Sequence, residues 1–123
     1  MKRPTFTINQ NNFGYEISLL DPNKEIMLTS KKHPNYKSCE KFLATLKVHM
    51  CFHSNFCRTK NMVGKYGFEV RTCWDELIAT SRMFNSREER EDGMQDVFKA
   101  NKDAIFTHTS IQAPEKTTLQ ICA

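Results

Sequence analysis

Glycine and proline are scarce in this chain, four of each in 123 residues, and tryptophan occurs once. So few chain breakers exclude a collagen-like or low-complexity filament and leave room for regular elements joined by short turns. No apolar run approaches the roughly 20 residues that span a bilayer as a helix, so a transmembrane reading is excluded. The N-terminus, MKRPTFTINQNN, lacks the apolar segment of about 7 to 15 residues that a secretory signal needs after its basic residues. The expected location is the cytoplasm. The five cysteines are an odd number with no CxxC, which argues against a disulfide framework and for reduced thiols. GxGxxG, P-loop, HExxH and GxSxG motifs are all missing, so nothing points to a known catalytic constellation or to a cofactor.

What is present is ordinary for a globular protein: 39% hydrophobic and 26% charged residues, with a net charge of +4. A chain of this length can bury one modest core. The charge is uneven, since residues 1 to 54 hold 8 Lys or Arg against 4 Asp or Glu and the remainder is balanced. That permits a basic face for an anionic partner but falls short of the clustered footprint of a dedicated nucleic-acid binder.

The strongest signal is internal repetition. GYEISLLDPNKEIMLTS, residues 14 to 30, returns as GFEVRTCWDELIATS, residues 67 to 81. Gly14, Tyr15, Glu16 and Ile17 align with Gly67, Phe68, Glu69 and Val70. Past a two-residue gap in the turn, Glu25, Ile26, Thr29, Ser30 and Lys31 align with Glu76, Leu77, Thr80, Ser81 and Arg82. An insertion confined to a turn supports the alignment.

Each copy alternates as a half-buried strand does, with Phe13, Tyr15, Ile17 and Leu19 on one face and Gly14, Glu16 and Ser18 on the other. Asp21, Pro22 and Asn23 are turn formers and make this strand and EIMLTS an antiparallel hairpin; Trp74 and Asp75 fill the tighter turn of copy two. A helix follows each Thr-Ser. Cys39, Phe42, Leu43, Leu46 and Met50 mark the buried stripe of the first, and Met94, Val97 and Phe98 that of the second. Ser86 and Glu89 form a capping box at the second helix start. Strands are expected over residues 51 to 58 and 104 to 110, the former closing copy one while opening copy two.

These elements predict an α+β fold of two layers, a duplicated strand-hairpin-helix repeat forming an antiparallel sheet with two helices on one face. Residues 1 to 110 are expected to form one domain of two repeats, about 5 to 52 and 53 to 110, and residues 111 to 123 a flexible tail. Duplication has a physical rationale, because one copy alone would leave a sheet edge and part of its core exposed.

The order of hairpin, Thr-Ser, an aromatic three residues on, a helix carrying a Gly-aliphatic pair, and then Lys-Ala-Asn resembles the YegP-like tandem-repeat family of small bacterial proteins. Copy two carries the closer match in ATSRMF at residues 79 to 84, Gly93-Met94, Val97 and Lys99-Ala100-Asn101. In copy one, Phe42 stands at the helix glycine and His33 at the aromatic supplied by Phe84, which implies that the first helix sits farther from the sheet or tilts. The resemblance implies the same α+β fold and brings no established reaction.

Candidate functional residues fall into three groups. Thr29, Ser30, Thr80 and Ser81 recur where the chain leaves the sheet and offer hydroxyls to a ligand, or to the local backbone. Lys31, Lys32 and Lys37, with Lys41 and Lys47, offer a basic surface around the first helix, beside Tyr36 and His33 for stacking. His49, Cys51, His53 and Cys57 are four soft-metal ligand types within nine residues. On an extended strand, however, neighbours on one face stand about 6 to 7 Å apart, badly shaped for one tetrahedral ion, so no metal is expected. Cys39 lies on the apolar stripe, where burial is the simpler reading than catalysis. Glu16, Glu69, Glu25 and Glu76 are read as cross-strand partners of Lys and Arg rather than as paired acid-base groups. The resulting expectation is a small non-enzymatic binding or interaction module, with a protein partner or self-association through a sheet edge. The alternatives are a nucleic-acid-associated protein using the basic first-helix region and a small-ligand, thiol or metal protein.

Overall fold

A computed structural model describes residues 3 to 107. Along the chain run β1 (Thr5–Asn11), β2 (Gly14–Leu20), β3 (Ile26–Ser30), α1 (Tyr36–His49), β4 (Phe56–Lys60), β5 (Tyr66–Arg71), β6 (Leu77–Ser81), α2 (Arg87–Asp103) and β7 (Ile105–Thr107). The same order of three strands and a helix thus occurs twice before the last strand. The fold is α+β, as expected, with a seven-stranded sheet in the order β4-β5-β6-β3-β2-β1-β7. Both helices pack against it through a single core that includes Phe6, Ile17, Leu19 and Leu46 from one half and Phe68, Val70, Ile78 and Val97 from the other.

The sheet departs from the expected one at its ends. β7 runs parallel to β1, with Thr5 opposite Ile105 and Thr7 opposite Thr107, so the sheet is mostly rather than wholly antiparallel. The final strand therefore completes the edge beside the first half. Among the described residues β4 pairs only with β5 and does not close the first half. It also starts later than its sequence suggests, because His53–Asn55 form a 3-10 turn and strand begins at Phe56. Of the expected strand over 104 to 110, Ile105–Thr107 forms, and residues 108 to 110 and the proposed tail lie outside the described residues.

Alternation holds where strands pair in register and fails where they do not. Phe6, Ile8, Ile17 and Leu19 are buried on the helix side. In β3, Leu28 faces Leu19 and Ile26 faces Leu20, leaving Met27 without a partner; in β6, Ile78 is likewise extra between Leu77 and Ala79. An added residue breaks the two-residue period of the strand. Met27 with Leu28, and Ile78 with Ala79, are accordingly buried in succession. Phe13, expected on the buried face, sits in the β1–β2 turn and is 82% exposed. Ser18, expected on the open face, is fully buried: it is small, stands between its register partners Thr7 and Thr29, and accepts a 2.8 Å hydrogen bond from Asn9 Nδ2.

Helix starts are capped by short polar side chains, which satisfy otherwise orphaned backbone N–H groups. Asn35 Oδ1 accepts from Ser38 N at 2.8 Å, and Ser86 Oγ accepts from Glu89 N at 3.1 Å. The Glu89 carboxylate reaches back one residue farther than a standard capping box, to Asn85 N at 3.0 Å. At the other end of α1, the buried Asn101 of α2 donates from Nδ2 to the Lys47 carbonyl at 3.1 Å and so ties the two helices together. Arg58 of β4 clamps Glu91 of α2 with two hydrogen bonds of 2.7 and 2.6 Å, which hold that carboxyl down to about 2.

Candidate functional site

The Thr-Ser pairs meet at the middle of the sheet, where β3 lies antiparallel to β6. Thr29 stands directly opposite Thr80, while Ser30 faces Ala79 and Leu28 faces Ser81. Because side chains alternate across a strand, the threonines lie on the open face and the serines on the helix side. Each serine hydroxyl is engaged with backbone. Ser30 Oγ accepts from Ile17 N at 2.8 Å and donates to the Lys31 carbonyl at 2.9 Å; Ser81 Oγ accepts from Phe68 N at 2.9 Å and donates to the Arg82 carbonyl at 2.6 Å. The hydroxyl takes the place of a ladder carbonyl where the strand ends. Ser30→Ala is therefore expected to cost about 1 to 3 kcal/mol, the penalty for leaving a buried N–H without an acceptor. Urea unfolding checks this, and an unchanged midpoint would return Ser30 to the ligand-binding candidates.

Charged pairs at the seam follow the same reciprocal pattern. Lys31 Nζ meets Glu76 at 2.5 Å, and Arg82, which occupies the matching place, meets Glu25 at 3.3 Å. Lys32 pairs with Glu16, and Arg71 with Glu69 at 2.9 Å. All four repeated glutamates thus have basic partners. The lysine surface is correspondingly smaller than it looks in sequence: Lys31 and Lys32 are paired, and Lys47 Nζ lies 5.6 Å from the centroid of the Phe6 ring. Lys37 and Lys41 have no partner among the described residues.

The His/Cys group is dispersed over different elements. His49 ends α1 with Nδ1 2.8 Å from the Thr45 carbonyl, exposed Cys51 donates to the Lys47 carbonyl, and His53 stacks on Phe98 at 3.9 Å, while Cys57 lies in β4. The strand geometry assumed for Cys51 and His53 is absent, and no three His, Cys, Asp or Glu side chains among the described residues are grouped to hold a metal. Cys39 is fully buried, and burial first, then the Glu16 charge, pushes its thiol up to about 11. It is therefore protonated at neutral pH.

One open groove lies beside each helix, and the two occupy matching places in the two halves. The first, of about 510 Å³, is lined by residues that include His33, Lys37, Ser38, Lys41, Phe42 and Thr45. The second, of about 440 Å³, has Phe84, Glu89, Asp92, Gly93 and Asp96 at the corresponding positions. The sequence reading missed both, although the exchange of Lys41 for Asp92 and Thr45 for Asp96 was visible in the alignment of the helices.

The groove floors show why His33 and Phe42 changed together. In the second half, the large Phe84 ring occupies the space that a Cβ on Gly93 would need, with Phe84 Cε1 only 2.8 Å from that point. In the first half, the smaller His33 ring leaves room for Phe42, and their centroids lie 4.6 Å apart. Volume is exchanged between two touching positions, which makes a stand-off or tilt of α1 unnecessary as an explanation. His33 is 7% exposed, and its Nε2 has no hydrogen-bond partner. Burial first, and the nearby Lys31 charge second, hold its pKa below the usual histidine value.

That direction has a definite consequence for stability. The unfolded chain takes up the proton near pH 6.5, whereas folded His33 stays neutral to lower pH. The unfolded state thus binds more protons below about pH 6.5, and stability is expected to fall there and to be full above it. Unfolding midpoints between pH 5 and 8 test this against a His33→Phe, Phe42→Gly variant, whose profile is expected to be flatter.

Comparisons with known proteins place the fold. The E. coli protein of unknown function yegP, whose structure was determined in solution by NMR, superposes with a TM-score of 0.77 at 17% identity over 100% of this chain and 98% of its own. The UPF0339 protein SO3888 from Shewanella oneidensis superposes with a TM-score of 0.75 at 15% identity over 95% of this chain and 92% of its own. No protein-family model matches the sequence, and no curated protein does. No helix among the described residues is long and apolar enough to cross a membrane. The resemblance read from ATSRMF, Gly93-Met94 and Lys99-Ala100-Asn101 is thus met in three dimensions: over nearly its whole length the chain has the fold of yegP and of the UPF0339 protein SO3888.

Proposed function

We propose that this protein is a non-catalytic binding module that receives an anionic partner in the groove beside the start of α1. The observation that carries the reading is the state of Lys37 and Lys41, exposed and without partners among the described residues, in a groove whose wall includes the buried His33. No acidic residue occupies the first turn of α1, so the backbone dipole there adds to the positive potential. Polar and cationic groups converge on one concave surface, the usual arrangement of a recognition site.

Magnitude favours a protein partner over nucleic acid. Two free lysines neutralise about two phosphates, which gives a logarithmic salt slope of only about −1.4 on a single strand. Sustained strand binding draws on a longer basic track with stacking platforms. Carboxylates on a protein surface need only one or two cations in a shaped groove.

Fluorescence anisotropy with a labelled oligoglutamate peptide and a labelled single-stranded oligonucleotide tests the proposal. The peptide is expected to bind at low salt and to lose roughly tenfold in affinity, about 1.4 kcal/mol, when Lys37 and Lys41 are both changed to Glu. Binding that is indifferent to those changes, or binding of the oligonucleotide alone, would overturn it.

A further inference from the structure

We infer that the anionic partner of the basic groove is the acidic groove of a second copy of this chain, so that the protein self-associates with α1 of one molecule against α2 of the other. The inference rests on the binding reading above and adds the identity of the partner.

The two grooves are complementary in charge. Lys41 and Asp92 hold the same place in the two halves, as do Thr45 and Asp96. Lys37 and Lys41 are unpaired in the first groove, and Asp92 and Asp96 are exposed and unpaired among the described residues in the second. Two free cations thus face solvent from one groove and two free anions from the other, on concavities of similar size, about 510 and 440 Å³. Within one molecule neither Lys37 nor Lys41 forms an ion pair with Asp92 or Asp96. β3 and β6 are antiparallel, so the chain leaves the seam in opposite directions to begin the two helices.

Exposed apolar side chains accompany the charges. Charge pairs at a wet surface contribute mainly to steering and register, and stable association needs apolar area as well. The β1–β2 turn carries Phe13, 82% exposed, just before Tyr15, which is bridged to His33 of the first groove. The β4–β5 turn carries Met62, fully exposed, and Val63, 79% exposed, just before Tyr66, which is bridged to Phe84 of the second. Each hairpin that is bridged to a groove residue therefore carries an unburied apolar tip. A two-fold pair of molecules makes both groove contacts at once and closes on itself.

Sedimentation velocity on the full chain at low salt is the test. A concentration-dependent shift from 14.4 kDa toward twice that mass is expected, reversed by added salt. Lys37→Glu with Lys41→Glu, and separately Asp92→Lys with Asp96→Lys, are each expected to leave monomers. The first variant has two acidic grooves and the second two basic ones, so an equimolar mixture is expected to associate again. All four positions are exposed, and circular dichroism verifies that each variant is folded. A wild-type monomer at every concentration overturns the inference, as does self-association that charge reversal leaves unchanged. A monomer that still binds oligoglutamate through Lys37 and Lys41 would retain the binding module while removing the second copy as its partner.

Discussion

Gly14→Ala is expected to destabilise the protein by about 4 kcal/mol, about twice the cost of the same change at Gly64. Both glycines have positive φ, +127° at Gly14 and +85° at Gly64, so alanine pays a backbone strain of about 1 to 3 kcal/mol at either site. What separates them is the neighbourhood. A Cβ on Gly14 would lie 2.5 Å from the His33 carbonyl oxygen, whereas at Gly64 nothing stands within 4 Å. That carbonyl cannot swing aside freely, because it accepts from Tyr15 N at 2.9 Å while His33 N donates to the Tyr15 carbonyl at 2.7 Å. Overpacking against fixed backbone adds a further ~1 to 3 kcal/mol. Each kcal/mol is worth roughly 4 °C in a domain of this size, so thermal melts of the two variants suffice. Equal shifts would show that the carbonyl contact contributes nothing.

The second large effect concerns the exchange at the groove floors. Gly93→Phe, which gives α2 the residue that α1 carries, is expected to cost about 3 kcal/mol, because even its Cβ enters space held by the Phe84 ring. Adding Phe84→His imports the partner that Phe42 has in the first half. The double variant is expected to recover most of the loss, with a coupling of about 1 to 3 kcal/mol between the two positions. The recovery separates a local fit from a general intolerance of bulk on α2. Additive losses in a double-mutant cycle would refute the idea that His33 with Phe42 and Phe84 with Gly93 are two solutions to one packing problem.

How far these features could be read from the chain depended on whether they were local. The hairpins, the helix stripes and the Ser86 cap are written in residues close together, and they form, but the two-residue gap and the tighter second turn do not. The turns after β2 and β5 match residue for residue, Asp21 to Glu25 against Thr72 to Glu76. Tyr15 corresponds to Tyr66 rather than to Phe68, because the shared Gly-aromatic-Glu spelling sits two residues out of structural register. The serines Ser30 and Ser81 could be located but not interpreted, since their acceptor role depends on the N–H of Ile17 and Phe68 across a turn. The extra residues Met27 and Ile78 defeated a simple count of alternation, and a 3-10 turn at His53–Asn55 interrupted what read as continuous strand. Long-range partners were the least legible. Lys31 and Lys32 looked like free positive charge until the fold brought Glu76 and Glu16 against them. Asn101 read as part of a family pattern, with no hint that it donates to the Lys47 carbonyl of the other helix. The grooves were missed because concavity arises from helix and sheet together, although the opposing charges of Lys41 and Asp92 were already present in the alignment.

The position of β7 bears on how the chain reaches this state during synthesis. β1 leaves the ribosome about a hundred residues before Ile105–Thr107, the segment that, among the described residues, covers its outer edge. At a translation rate of about 5 to 20 residues per second, that edge stays open for roughly 5 to 20 seconds while the second half is made. An unpaired strand edge is a template for pairing with other chains. The nascent first half therefore passes through an interval in which it can be captured by neighbours, and the arrival of Ile105–Thr107 is what ends it.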